Sequence, residues 1–134
     1  MGPVRTTITL SNPRRDDLRS MDVDALVDTG ALHVCVPARV AAQLDLEPIE
    51  ERTVTYADGS TARVPYSGPV RTTFGNRSCF TGAMVLGEEV LLGAIPMEDM
   101  DLVVRPVMRD VVPNPASPNI PASIAKGFRS GHDR

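Results

Sequence analysis

The residues best placed to do chemistry are Asp28, Thr29 and Gly30, which follow the apolar run Ala25-Leu26-Val27 and lead into Ala31. A carboxylate there stands where a strand gives way to a turn. Gly30 permits a tight backbone at that point and leaves its N–H free to reach the Asp28 oxygens. The chemistry on offer is that of a carboxylate, the taking and giving of a proton. Other chemistry is poorly supplied. His33 and His132 are far apart in the chain and the second lies in a polar stretch, which argues against a His-based metal site or a Ser/His/Asp triad. Cys35 and Cys79 form neither a Cys-x-x-Cys pair nor a disulfide framework, and they read as reduced, partly buried thiols. No base is evident beside Cys35, so it reads as core and not as nucleophile.

The elements that must position Asp28 are mostly strands. The 12 prolines are scattered through the body, which excludes long helices. Thr6–Leu10 alternates polar and apolar and reads as a strand, Asn12–Ser20 as a loop, and Val23–Val27 as the strand that delivers Asp28. Pro37–Leu46 is the best helix, with Pro37 in its first turn and Val40, Leu44 and Leu46 on a buried face. Thr53–Ala57 and Ser60–Tyr66 are joined by Asp58-Gly59, a strong hairpin signal. A second hairpin around Gly75-Asn76 pairs Val70–Phe74 with Ser78–Leu86. Val90-Leu91-Leu92 reads as a buried strand ending at Gly93, followed by a short helix, Pro96–Met100. Leu102–Val104 and Val107–Val112 read as closing strands.

A chain of 134 residues is expected to form one domain. Residues 1–112 would make it, and 113–134, interleaved with Pro113, Pro115, Pro118 and Pro121, would be a Pro-rich flexible tail. The end of that tail, Lys126 to Arg134, is locally basic and reads as a solvated terminus. With 14 basic against 17 acidic side chains there is no excess of positive charge to neutralise phosphates, so neither nucleic acid nor a membrane surface is an expected partner. No apolar run is long enough to span a bilayer and the start lacks a secretory layout, so a soluble, cytoplasmic protein is expected.

Two acidic clusters invite other readings. Asp22, Asp24 and Asp28 are spaced like the Asp-x-Asp start of metal-dependent phosphatases, but that chemistry needs a larger parallel α/β core and further acidic ligands. Asp22 and Asp24 therefore read as solvated charge flanking a buried strand. Glu98, Asp99 and Asp101 read as the exposed face of a short helix, and no metal or cofactor is expected.

Leu26-Val27-Asp28-Thr29-Gly30-Ala31, the hairpin around Asp58-Gly59, and Leu91-Leu92-Gly93 with Ala94-Ile95-Pro96-Met97 occur in the order and spacing of one family. From about residue 5 to 115 the chain resembles the retropepsin-like aspartic proteases of the single-lobed bacterial and retroviral type. The resemblance implies a mostly β fold, a closed β-barrel-like acid-protease architecture with one or two short helices. It implies that Asp28 is the catalytic carboxylate, that Thr29 locks two active-site loops across a two-fold axis, and that Gly30 helps hold the carboxylates coplanar. The hairpin Thr53–Tyr66 would be a flap over substrate, and Leu91-Leu92-Gly93 an apolar layer under the Asp28 loop.

Peptide hydrolysis by this route needs two carboxylates sharing one proton, because like charges at about 3 Å cannot both ionise. The chain holds one Asp-Thr-Gly and is too short for two lobes, so the resemblance implies a homodimer with the site on its axis, acting on a peptide or protein substrate. Ala31, Tyr56, Ala57, Asp58, Gly59 and Ile95 are the expected substrate contacts, with Leu32 and Val54 adding apolar lining. Retropepsins often carry an acid just after Asp-Thr-Gly-Ala and an Arg just after the second Gly, and these support the dimer. Leu32 and Ala94 stand in those places here, so dimerisation would rest on apolar contacts and terminal strands. A catalytically inactive module that binds peptides or proteins in the same groove is the alternative reading.

Overall fold

A computed structural model describes residues 3–125 and 127. Strand β1 (Val4–Ser11) turns its alternate residues Ile8 and Leu10 into the core, and β2 (Met21–Val27) does the same with Ala25. Asp22 and Asp24 fall on the outer face of β2, where they accept hydrogen bonds from Thr9 and Arg5. They are surface charge, as their alternation implies.

The chain then makes β3 (Val34–Val36), α1 (Ala38–Gln43), β4 (Glu47–Thr55), β5 (Thr61–Phe74), β6 (Arg77–Val85) and β7 (Val90–Leu92). Sheet order runs β1-β2-β7-β3-β6-β5-β4, and a further pairing of β1 with β5 closes six strands into a barrel. β4 remains outside the ring, paired to β5 as one arm of a hairpin. The barrel encloses a core that includes Ile8, Leu10, Val34, Val36, Leu44, Val70, Leu92 and Met100, all at 0–1% exposure. Mostly β structure, a closed barrel and two short helices agree with the fold that the family resemblance implies. Among the described residues no helix is long and apolar enough to cross a membrane.

Several elements depart from expectation for local reasons. Helix α1 stops at Gln43 because Asp45 adopts a left-handed conformation (φ 51°), and Pro37 caps the helix from outside it. β3 is a fully buried three-residue strand that no periodicity could mark. Helix α2 (Ala94–Asp99) begins earlier than Pro96 because Gly93 is its cap. Strand β8 (Leu102–Arg105) pairs with β9 (Asp110–Pro113), which starts later than Val107. Arg105 and Asp110 close a turn there through two hydrogen bonds, leaving Val107 94% exposed.

Asp101 corrects two expectations. It is not on an exposed helix face but lies beyond α2 in a left-handed conformation (φ 54°), half-buried, while Glu98 and Asp99 stay exposed. Residues 114–122 of the segment expected to hang free are instead held on it. Asp101 accepts hydrogen bonds from the Asn114 side chain, the Ser117 hydroxyl and the Ala122 N–H, and its own carbonyl accepts from the Asn114 N–H. The fully buried Arg77 guanidinium lies 3.8 Å from the Asp101 carboxylate and donates to the Met100 and Ser117 carbonyls. The basic stretch expected from Lys126 onward, and His132 with it, lie outside the described residues, Gly127 apart.

These donors, the Ser117 hydroxyl foremost, hold the Asp101 carboxyl at about 2, below its ordinary 3.8. The folded state therefore binds this proton less readily than the unfolded chain, and the carboxylate stabilises the fold above the ordinary value. That contribution is expected to fade as pH falls and to be gone below about 2. Melting temperatures of wild type and Asp101→Asn should differ by a constant amount near neutrality and converge in acid. A gap independent of pH would show that Asp101 does not act through its charge.

Candidate active site

β2 and β7 run parallel, with Val27 opposite Leu92, so the two strands end side by side. Asp28 follows directly, and its N–H donates to the Leu92 carbonyl at 3.0 Å. The Asp28 turn then closes on itself. The Ala31 N–H donates to the Asp28 carbonyl and the Gly30 N–H donates to Asp28 Oδ1, each at 3.0 Å. A side chain at Gly30 would place its Cβ 3.2 Å from that oxygen, closer than is comfortable.

The loop is gripped from the other side by α2. The first helical N–H groups have no partner within their own helix. Here Ala94 N–H donates to the Ala31 carbonyl at 2.8 Å and Ile95 N–H to the Leu32 carbonyl at 2.9 Å. Backbone this close leaves no room for a Cβ at Gly93, which would lie 2.6 Å from the Leu32 carbonyl carbon and 2.7 Å from the His33 nitrogen. Leu91-Leu92-Gly93 thus supports the Asp28 loop through backbone contact as well as apolar packing.

Asp28 opens into a groove of about 530 Å³. Ala31, Leu32 and His33 continue its floor from the Asp28 loop, and Met84, Leu86 and Leu91 supply apolar wall. The hairpin of β4 and β5 contributes Arg52, Val54, Tyr56 and Ala57. Of the expected site residues, Asp28, Ala31, Tyr56 and Ala57 therefore share one groove. Thr29 is exposed beside it. Asp58 and Gly59 form the hairpin tip outside the groove lining, where Gly59 takes φ 87° and Asp58 accepts hydrogen bonds from the Ser60 hydroxyl (2.6 Å) and N–H (2.9 Å). Those bonds hold the Asp58 carboxyl below its ordinary value. Ile95 is 41% exposed on α2, next to the loop and not in the lining.

The sequence reading missed His33 and Arg52. Tyr66 draws them together: the Arg52 guanidinium carbon lies 3.8 Å from its ring centroid and the His33 ring meets it edge-on at 5.7 Å. The Tyr66 hydroxyl accepts the Gly82 N–H at 3.1 Å, and a side chain at position 82 would collide with the ring. Alternation along β4 was the available signal, since Arg52 and Val54 are half-buried between exposed Glu51, Thr53 and Thr55. Burial, and then the Arg52 charge, lower the His33 pKa, so its imidazole is neutral at neutral pH. Burial, and then the Asp28 charge, raise the Cys35 thiol, which keeps it protonated and poor as a nucleophile. Among the described residues no three His, Cys, Asp or Glu side chains gather as a metal site requires.

A model of the aspartyl protease family matches residues 17–114, which include the Asp28 loop, the hairpin and Gly93. The chain belongs to that family. Family membership and the closed barrel together bear out the acid-protease reading of the fold. Among solved structures the chain is similar to the solution structure of the simian foamy virus (mac) protease, with 19% identity, 69% of this chain and 91% of that chain covered, and a TM-score of 0.43. It is also similar to the crystal structure of a Legionella pneumophila protein of unknown function, with 16% identity, 69% and 84% covered, and a TM-score of 0.38. No curated protein matches it.

The grip of this aspartyl protease loop on α2 can be tested without any substrate. Gly93→Ala is expected to cost about 2 kcal/mol, as overpacking against immovable backbone does. Urea unfolding of the variant measures it. An unchanged midpoint would mean that the two loops can part without penalty.

Proposed function

We propose that the protein is an aspartic endopeptidase that acts as a two-fold homodimer, with water activated between two Asp28 carboxylates. The observation that carries this reading is the placing of Asp28: one oxygen is held by the Gly30 N–H, and the carboxylate faces a groove covered by a hairpin. The chain has one Asp-Thr-Gly, so the second carboxylate comes from a second copy. Leu32, 60% exposed, and Ile95, 41% exposed, flank the loop and offer the apolar contact such a copy would cover. Thr29, exposed in the single chain, is the residue that would bond across the axis.

In the dimer one Asp28 is ionised and the other keeps the shared proton. The ionised carboxylate takes a proton from water as the water oxygen attacks the scissile carbonyl carbon. The protonated one donates to the carbonyl oxygen, giving a neutral diol. Collapse of that diol breaks the C–N bond, with a proton passing to the leaving nitrogen. The hairpin residues Val54, Tyr56 and Ala57 close the groove against water, which strengthens the dyad's electrostatics.

Asp28→Asn is expected to lower cleavage of an unfolded protein on the order of a thousandfold, and a pepstatin-type inhibitor to stop the wild type. Specific activity should fall on dilution as copies separate. Cleavage that persists in Asp28→Asn would assign the activity to another protease. A folded monomer that binds peptides and cleaves none at any pH would establish the binding module instead.

Ala31 offers no hydroxyl to the Asp28 carboxylate, whereas a serine there would hydrogen-bond the charged form and favour it. Ala31→Ser is therefore expected to move the acidic limb of the pH–rate profile to lower pH. An unchanged acidic limb would show that this position does not tune the dyad.

A further inference from the structure

We infer that the groove selects peptides carrying an acidic side chain and that Arg52 reads it, an inference that rests on the peptidase reading above. Apart from Asp28 at its floor, Arg52 is the charged side chain in the groove lining. The neighbouring wall is apolar: Val54, Met84, Leu86 and Leu91. A guanidinium half-buried beside such residues gains more from a carboxylate brought to it than one on open surface would.

Arg52 is also held ready. Its planar head stacks on Tyr66 at 3.8 Å, and Tyr66 is itself fixed by the Gly82 N–H and by the absence of a side chain at Gly82. Glu50 takes only Nε, at 2.8 Å. Among the described residues the two terminal nitrogens have no hydrogen-bond partner. They form the fork that matches the two oxygens of a carboxylate, and little side-chain freedom is left to lose when it binds. His33 adds no second positive charge, since burial and Arg52 keep it neutral at neutral pH, so the cation that a substrate carboxylate meets there is Arg52. A lysine or arginine on the substrate would meet a like charge at the same place. An extended peptide under the hairpin presents alternate side chains to one face, so a single position of the peptide reads Arg52.

The experiment uses short apolar peptides that carry Glu, Gln or Lys at one position, moved along the chain, with the full-length protein. At one position wild type is expected to show a KM about tenfold lower for Glu than for Gln, with kcat unchanged and Lys worst. Arg52→Gln should abolish the Glu preference, Arg52→Lys should keep part of it, and added salt should weaken it. Equilibrium binding of the same labelled peptides to Asp28→Asn provides the measurement that needs no catalysis. Tighter binding of the Glu peptide there, with no cleavage by wild type, would sustain the acidic preference and end the peptidase reading. Equal binding of Glu and Gln peptides at every position, or a Glu preference unchanged in Arg52→Gln, would overturn the inference whatever the activity.

Discussion

Everything functional in this chain depends on two strands that run the same way and stop at the same level. Parallel strands cannot be joined by a tight turn, so β2 and β7 are linked through most of the barrel. Their side-by-side ends let the Asp28 N–H reach Leu92 and let α2 start against the Asp28 loop. The close approach is possible only because position 93 has no Cβ. Gly93 has an ordinary negative φ, so its role is one of space and not of backbone conformation.

The groove above this junction is electrically simple. Burial keeps the Cys35 thiol protonated, and His33 stays neutral at neutral pH beside Arg52. That leaves one carboxylate on the floor and one guanidinium on the hairpin as the fixed charges of the lining. In a setting walled by Val54, Met84, Leu86 and Leu91 such charges are felt more strongly than on open surface. The floor is fixed by backbone bonds at 2.8–3.0 Å, whereas the hairpin tip is held by its own local bonds. Asp28 thus sits on a part of the fold pinned by distant partners, and the hairpin beside the groove on a part held at its tip by local bonds.

Much of this was legible in the sequence because its causes are local. An apolar run ending in Asp-Thr-Gly marks a strand end with a held carboxylate, and Asp58-Gly59 marks a hairpin tip where Gly59 must take positive φ. What stayed hidden was set by partners distant in the chain. β3 lies between β7 and β6 in the sheet and is buried on both faces, so its Val-Cys-Val carries no alternation to read. Arg77 looks like any surface arginine until the carbonyls of Met100 and Ser117 are seen around it. The proline-rich segment after Pro113 does look like a tail, and composition cannot reveal that Asp101 supplies acceptors for it. Arg52 and His33 meet on the ring of Tyr66, which itself lies against Gly82, and no local pattern marks contacts of that kind.

Helix α2 joins these two kinds of information. It has six residues, too few to be stable alone, and both of its ends are bound by other parts of the chain. At its start the free N–H groups of Ala94 and Ile95 are spent on the carbonyls of the Asp28 loop. Just past its end the Met100 carbonyl accepts from Arg77, placing a buried cation where the helix dipole favours one. Met97 is buried between these points and Met100 at the second of them, and the two fix its lateral position. The helix is therefore specified by its neighbours more than by its own sequence. The same feature makes it a strut between the Asp28 loop and the Arg77–Asp101 clasp, with each end satisfied only when the other element is in place.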